Sequence, residues 1–459
     1  MNLILYVSRI LVGSLFIISG LVKANDSLGF SYKLVEYFGE KALNLPALEP
    51  FALELAIFIC LGEIVLGLAV LIGGRPKLTA ALLMFMILFF TWLTWYTATC
   101  DPLAEITVMR DGVEVTETKE CVQECGCFGN AIPLTPWESF YKDIVLLFFI
   151  TIITVGAFAS DRIRFNTYKD DIFILPASLI LIALFSKLFL DWWFPAIFTA
   201  ILLALYLGVK KLVASEKTLK AELLVIVLSF AACIAFQYQT LVHLPMKDYR
   251  PYAVGNSIRE GMMSAEDLGK EPPVYAVEYL FTNTTTGKDS VVLSTDYLEK
   301  KLYNDENFKR LYTVKTYEGN TIKLKDGYEP PIMDFALSDY EANDLTETII
   351  QDPGAVFLQI SYDISKAEVS CIKEINAFAK AAQEKGHRYF GVSSSSAEEV
   401  DTWRHEYQAA YPFLVCDEKV LKTIVRANPG IILIRDGVVL GMWAGCDLPD
   451  FSEVQELLQ

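Results

Sequence analysis

The chain has 459 residues, 53% of them hydrophobic and 13% aromatic, with only 21% charged and a mean hydropathy of +0.36. That composition excludes a disordered chain and sets it apart from ordinary soluble enzymes, while the length predicts two or three domains. A net charge of −17, concentrated in residues 243–459 (22 Lys and Arg against 35 Asp and Glu), excludes nucleic acid as a partner, because phosphates need cations.

Apolar runs of roughly 17–25 residues can cross a bilayer. They recur near 3–22, 51–73, 78–98, 141–159, 172–189, 193–210 and 222–241, predicting seven spans. Arg9 inside the first run, with no small-residue cleavage site after it, reads as a retained helix rather than a signal peptide. Lys187, Asp191 and Pro195 divide one long apolar stretch into spans five and six, joined by a tight hairpin. The turn Gly73–Lys77, the group Arg162, Arg164 and Lys169, and the group Lys210, Lys211, Lys217 and Lys220 are the basic loops. All three fall on one side of a seven-span chain, which predicts a cytoplasmic N-terminus and a C-terminal half in the bacterial periplasm.

Ionisable groups within spans are costly and call for a role. Arg9 and Glu63 are candidates for a buried pair or a proton relay; an interfacial, snorkelling Arg9 is the simpler alternative.

Loop 99–140 carries four of the nine cysteines. Glu105–Met109 and Val113–Thr116 alternate with period two around Asp111-Gly112, the signal of a β-hairpin. Extending that ladder brings Cys100 opposite Cys121, near enough for a disulfide worth roughly 3 kcal/mol by chain entropy. Then comes Cys125-Gly126-Cys127-Phe128-Gly129. Two thiols separated by one glycine close only a small, bent ring, the property of a redox pair more than of a staple. Cross-links to Cys100 and Cys121, or a four-thiolate metal site, are the alternatives. The C-x-C spacing is a poor ligand pattern, so no metal is expected.

Leu11-Val12-Gly13 through Ser19-Gly20-Leu21-Val22-Lys23, and Glu63–Leu68 with Gly73-Gly74, resemble the first two helices of DoxX-type membrane proteins. Cys125–Gly129 resembles the signature of the related MauE branch, the methylamine utilisation accessory proteins. The resemblance covers residues 1–160 as a four-helix membrane domain. It implies membrane thiol or sulfur redox chemistry, for MauE tied to maturation of a disulfide-rich periplasmic partner. A quinone-coupled thiol oxidase of the VKOR type is similar in plan and would imply a quinone, although this loop has no C-x-x-C. Residues 161–242 add three spans that extend the bundle and anchor the tail.

Residues 243–327 read as a β-rich connector outside the membrane, with alternation over 274–282, 289–294, 311–317 and 320–325. From Gly327 the pattern changes. Pro330-Pro331-Ile332-Met333-Asp334-Phe335-Ala336-Leu337 resembles the opening of TlpA-like and peroxiredoxin-like thioredoxin folds. Strands 355–360, 389–393, 431–434 and 438–443 alternate with helices 367–385, 396–411 and 419–425, giving an α/β domain over 328–459. Pro429 matches the cis-proline of that fold, which implies a backbone edge for an extended peptide. Ser361–Lys366, where that fold carries its dithiol, has no cysteine, and Cys371 falls a turn inside the helix. That departure argues against dithiol exchange here; a one-cysteine peroxidase on Cys371 is the remaining enzymatic reading. His387 and His405 lack ligand spacing and read as surface residues.

The expectation is a helical membrane bundle fused to a thioredoxin-like domain, working as a membrane thiol–disulfide redox or maturation factor on an extracytoplasmic client. The alternative is a non-enzymatic scaffold whose thioredoxin-like domain binds peptides.

Overall fold

The structure is a computed structural model and describes residues 3–101, 104–110, 113–122, 126–159, 163–213, 218–317 and 321–458. The expected turns at Asp111-Gly112 and at 318–320, together with Cys125, Arg162 and Lys217, lie outside the described residues.

The apolar half folds into α1 (Leu3–Asn25), α2 (Ser27–Phe38), α3 (Ala52–Ile72), α4 (Pro76–Ala98), the hairpin β1 (Glu105–Arg110) and β2 (Val113–Thr118), α5 (Pro136–Phe158), α6 (Tyr168–Leu188), α7 (Phe194–Leu212) and α8 (Thr218–Val242). Among the described residues, seven of these helices are long and apolar enough to cross a membrane; α2 is not one of them. Phe58, Phe85, Phe148 and Phe173 stand exposed on the outside of the bundle, as side chains facing lipid do. The chain is an integral membrane protein. Helix starts carry their own signals: Thr135 and Glu138 form a capping box at α5, and Thr167 and Asp170 form one at α6.

Helix α1 is central and packs closest on α3. A Cβ on Gly67 would come within 2.8 Å of the Gly13 carbonyl oxygen, so the two backbones meet where a side chain would hold them apart. At one end of the bundle, the C-terminus of α3 meets the 163–167 segment, Asn166 donating its backbone N–H to the Ile72 carbonyl at 3.0 Å. The Cys100–Cys127 loop and the C-terminal half sit at the other end, where Trp92, Trp95, Trp137 and Trp193 are exposed.

Beyond the bundle come the short α9 (Ile258–Met262), strands β3 (Val274–Asn283) and β4 (Asp289–Leu293), α10 (Ser294–Glu299), α11 (Glu306–Leu311), β5 (Tyr312–Thr316) and β6 (Thr321–Lys325). These four strands form one sheet built on β3. The last unit contains α12 (Thr346–Ile350), β7 (Val356–Ile360), α13 (Ile372–Glu384), β8 (Arg388–Ser393), α14 (Ala397–Tyr407), β9 (Phe413–Val415), α15 (Glu418–Ile424), β10 (Gly430–Arg435), β11 (Val438–Ala444) and α16 (Phe451–Val454).

Its sheet runs β11-β10-β7-β8-β9. Strands β7, β8 and β9 are parallel, while β10 is antiparallel to β7 and β11. Helices cover both faces, so β7 is buried throughout and β10 is buried up to its last residue, Arg435, instead of alternating with polar residues. Val356, Leu358 and Ile360 pack with Leu421 and Ile424; Phe357 packs on the opposite face with Phe378 and Tyr389. This is the thioredoxin fold. Tyr252 and Ile258 belong to its core, and Gly255 donates its N–H to the Val439 carbonyl at 2.8 Å. Part of the expected connector thus packs as thioredoxin-fold core.

Candidate functional site

The hairpin pairs Glu105 with Thr118 through to Arg110 with Val113. A disulfide joins Cys100 to Cys121 below it, with Cα atoms 5.8 Å apart. The closed loop is tied to the chain after α2, where Glu120 donates its N–H to the Lys41 carbonyl at 3.0 Å. Gly126 follows with φ of 71°, a left-handed conformation in which only glycine is unstrained. That turn carries Cys127 and Phe128 inward, where both are buried. Ser19 Oγ of α1 donates to the Cys127 carbonyl at 3.3 Å.

Cys127 lines a cavity of about 300 Å³ between α1, α3, α4, α5 and α6. The walls are mostly apolar, with Phe16, Phe90, Phe185 and Phe189 among them. Two ion pairs interrupt that surface. Lys23 Nζ lies 2.8 and 2.7 Å from the two Glu63 carboxylate oxygens and donates to Ser19 Oγ at 2.6 Å. Both charged side chains are 3–4% exposed. Three donors meet three acceptors, so the buried side chain is fully hydrogen-bonded. Across the cavity Lys142 Nζ lies 3.1 Å from Asp143 Oδ1, and Asp143 accepts from Thr94 Oγ1 at 3.1 Å.

The expected pairing of Arg9 with Glu63 is not what forms. Arg9 donates to the Val70 and Leu71 carbonyls at 2.9 Å each and to Asn166 Oδ1 at 2.7 Å. It caps the last turn of α3, where unpaired carbonyls and the helix dipole favour a cation. At 1% exposure it does not snorkel. Lys23 lies 14 residues further along α1, about 21 Å at 1.5 Å per residue, and takes Glu63 instead. Lys23 ends a span next to a loop, so its apolar neighbours are a weak signal against a snorkelling role.

The thioredoxin-like domain corrects two further expectations. Pro429 is cis to Asn428, but the edge beside it is covered. The Pro429 carbonyl accepts from Gly445 N–H at 2.9 Å and the Asn428 carbonyl from Glu368 N–H at 2.7 Å. Helix α13 begins at Ile372, so Cys371 is its N-cap residue rather than a position inside it. Cys371 is bonded to Cys446, with Cα atoms 5.3 Å apart. A separation of 75 residues left no spacing signal for that pair. A thiol held in a disulfide is not a peroxidatic nucleophile. Cys416 is buried, and burial pushes its thiol up to about 11. His405 is exposed, whereas the His387 ring sits against Phe357 and Phe451.

Comparison with curated proteins finds no match to the chain. Among solved structures, the solution structure of a candidate protein disulfide isomerase from Bacteroides thetaiotaomicron is 18% identical, covering 27% of this chain and 86% of its own, with a TM-score of 0.23. The crystal structure of the thioredoxin domain of a thiol-disulfide oxidoreductase from Bacteroides vulgatus is 16% identical, covering 27% of this chain and 93% of its own, with a TM-score of 0.22. Residues 1–100, which hold α1 to α4 and end ahead of Cys121 and Cys127, match the family described as methylamine utilisation protein MauE.

Proposed function

We propose that the chain is an inner-membrane thiol–disulfide redox or protein-maturation factor in which Cys125 and Cys127 exchange disulfides with an extracytoplasmic protein client. One observation carries this reading: Cys127 lines an apolar cavity inside the bundle that also holds the buried Lys23–Glu63 pair. Client thiolate attack on the Cys125–Cys127 disulfide forms a mixed disulfide and releases one thiolate. The client's second thiol then resolves it, leaving the client oxidised and both cysteines reduced. Two electrons and two protons have moved to the pair.

The residues present also fit a quinone head group. The cavity volume lies at the lower end of the usual range for small-molecule sites, and its mix of aromatic walls with few polar groups is typical of them. Phe90, Phe185 and Phe189 would hold a ring, and Ser19 and Lys23 line the wall beside it, where a ring oxygen would compete with the Cys127 carbonyl and Glu63 for their hydrogens. When bound, such a group accepts two electrons and two protons. Glu63 holds the Lys23 ammonium in place, and the aromatic walls keep bulk water from the thiol.

Thiol trapping on intact membranes tests the reading. The Cys125–Cys127 pair should be recovered in both oxidised and reduced forms, and mild reductant should shift the ratio. A pair that stays fully oxidised and resists reduction removes the redox reading. The burial of Cys127 would then favour the second one, a scaffold whose loop cysteines are structural.

A further inference from the structure

We propose that Cys371 and Cys446 form a second thiol–disulfide exchange site, taking electrons from dithiol proteins or peptides on the side of the membrane that holds the C-terminal half. The two sulfurs sit in unequal surroundings. Cys446 is exposed, whereas Cys371 is half-buried. An incoming thiolate therefore reaches the Cys446 sulfur first.

Cys371 is suited to be the leaving group. It occupies the N-cap of α13, a 13-residue helix, and makes no side-chain capping hydrogen bond there. A helix start offers unpaired N–H groups and positive potential, and an N-cap side chain normally supplies an oxygen acceptor for them. A disulfide sulfur is a poor acceptor, whereas a thiolate released at that position is a strong one. Thiols at helix N-termini are correspondingly acidic, and lower-pKa thiolates leave faster. Ser370 Oγ lies 3.4 Å from Cys371 Sγ and 3.6 Å from Cys446 Sγ, so one hydroxyl can donate to either sulfur as charge develops.

The reaction balances within the two partners. Substrate thiolate bonds to Cys446 Sγ as the Cys371–Cys446 bond breaks, and Cys371 departs with the electron pair. The substrate's second thiol attacks the mixed disulfide and displaces Cys446. The substrate is oxidised to its disulfide, and the two cysteines keep two electrons and two protons. The site is also anchored at the membrane. Asp447, next to Cys446, accepts through Oδ2 from His243 Nδ1–H at 2.7 Å, and His243 directly follows α8.

The experiment uses full-length protein in membranes and dithiothreitol as the dithiol. Timed alkylation followed by mass mapping reads each cysteine pair separately. The Cys371–Cys446 bridge should open about tenfold faster than Cys100–Cys121, and opening no faster would overturn the proposal. In Cys446→Ser, alkylation of Cys371 should reach half its maximal rate well below the ordinary thiol value of about 8.5. An ordinary profile there would also overturn it, since a plain cross-link needs no acidic thiol. The Cys125 and Cys127 peptides are read in the same digest. Failure at either pair is thus distinct from failure at the other.

Discussion

The Arg426 guanidinium donates through Nε to both Asp26 carboxylate oxygens, at 2.8 and 3.0 Å, and so joins residues 400 positions apart. Asp26 directly follows α1 and Arg426 comes two residues after the end of α15, so this pair ties the thioredoxin-like domain to the membrane bundle. Asp26 serves twice, because its Oδ1 also accepts from Gly29 N–H at 2.9 Å and starts α2. Tyr32 of α2 meets Tyr362 edge-on with centroids 6.4 Å apart, extending the same contact.

The interface should tolerate every pH at which the protein is handled. Burial opposes charge on Asp26, but the Arg426 cation outweighs it and holds the carboxyl below its usual range. Burial likewise opposes charge on Arg426, and Asp26 outweighs that and raises it. A depressed carboxylate contributes stability that is complete above its unfolded value of about 3.9 and is lost only as pH falls through the lower folded value. The melting temperature in detergent should be unaffected by this pair from neutral pH down to about 5. Arg426→Ala should cost about 2 kcal/mol, between an exposed and a buried pair. It should also speed protease release of the C-terminal half; unchanged release would remove the docking role.

Glu63→Gln should leave Lys23 charged, buried and short of a counter-ion, destabilising the bundle by about 3–5 kcal/mol. Replacing both with Met should recover most of that stability, since buried pairs rarely beat apolar packing. If the pair serves the cavity, the double variant should fold yet exchange disulfides at Cys127 more slowly. Normal exchange in a stable double variant would make the pair purely structural.

Gly20→Ala probes the same place by shape. A Cβ there would meet Ile64 at 2.7 Å and the Glu63 Cβ at 3.0 Å, so α3 must shift away from α1. Overpacking of this kind costs about 1–3 kcal/mol, and it should loosen the hold of Glu63 on Lys23. Lower thermal stability with slower Cys127 exchange is the expected result, and a neutral Ala would show that α1 and α3 have slack.

Much of this was legible for physical reasons. Spans advertise themselves because lipid demands long apolar runs, and the β1–β2 hairpin because alternation has a period of two. Helix α2 escaped notice: at 12 residues it is too short for a span, and it follows α1 after a single residue. Glu63 was conspicuous as a charge in an apolar run, yet its partner could not be read, since Lys23 lies 40 positions away. The Cys371–Cys446 bond and the Asp26–Arg426 pair arise from tertiary folding alone. Pro429 illustrates the converse. Its cis bond was foreseeable, but the cover over its edge comes from Glu368 and Gly445, which no local pattern connects to it.

Cys100→Ser should free the Cys121 thiol and leave the register of β1 with β2 unanchored at its open end. The chain-entropy model puts the bridge at roughly 3 kcal/mol for a loop of this size. The loop also carries Cys127 onto Ser19, so its loosening should expose Cys127 to alkylating reagents from the aqueous side. Non-reducing mass mapping of the wild type should recover a Cys100–Cys121 peptide, while a Cys121–Cys127 peptide would overturn this assignment.

The orientation of the chain decides whether its two redox candidates can share a client. The Cys100–Cys127 loop and the C-terminal half meet at one end of the bundle, both lining one cleft through Gly126, Phe128, Arg250 and Arg426. The basic turn at Gly73–Lys77 follows α3 at the opposite end, where Arg9 and Asn166 close the helix. Cations favour the cytoplasmic side, so the loop and the thioredoxin-like domain should face outward, where disulfides persist. Protease added to intact spheroplasts should release a fragment beginning near residue 243, and the same fragment should carry the Cys371–Cys446 bond. Protection of that segment in sealed spheroplasts, with cleavage only after lysis, would put both cysteine sites in the reducing cytoplasm and end the case for disulfide exchange at either.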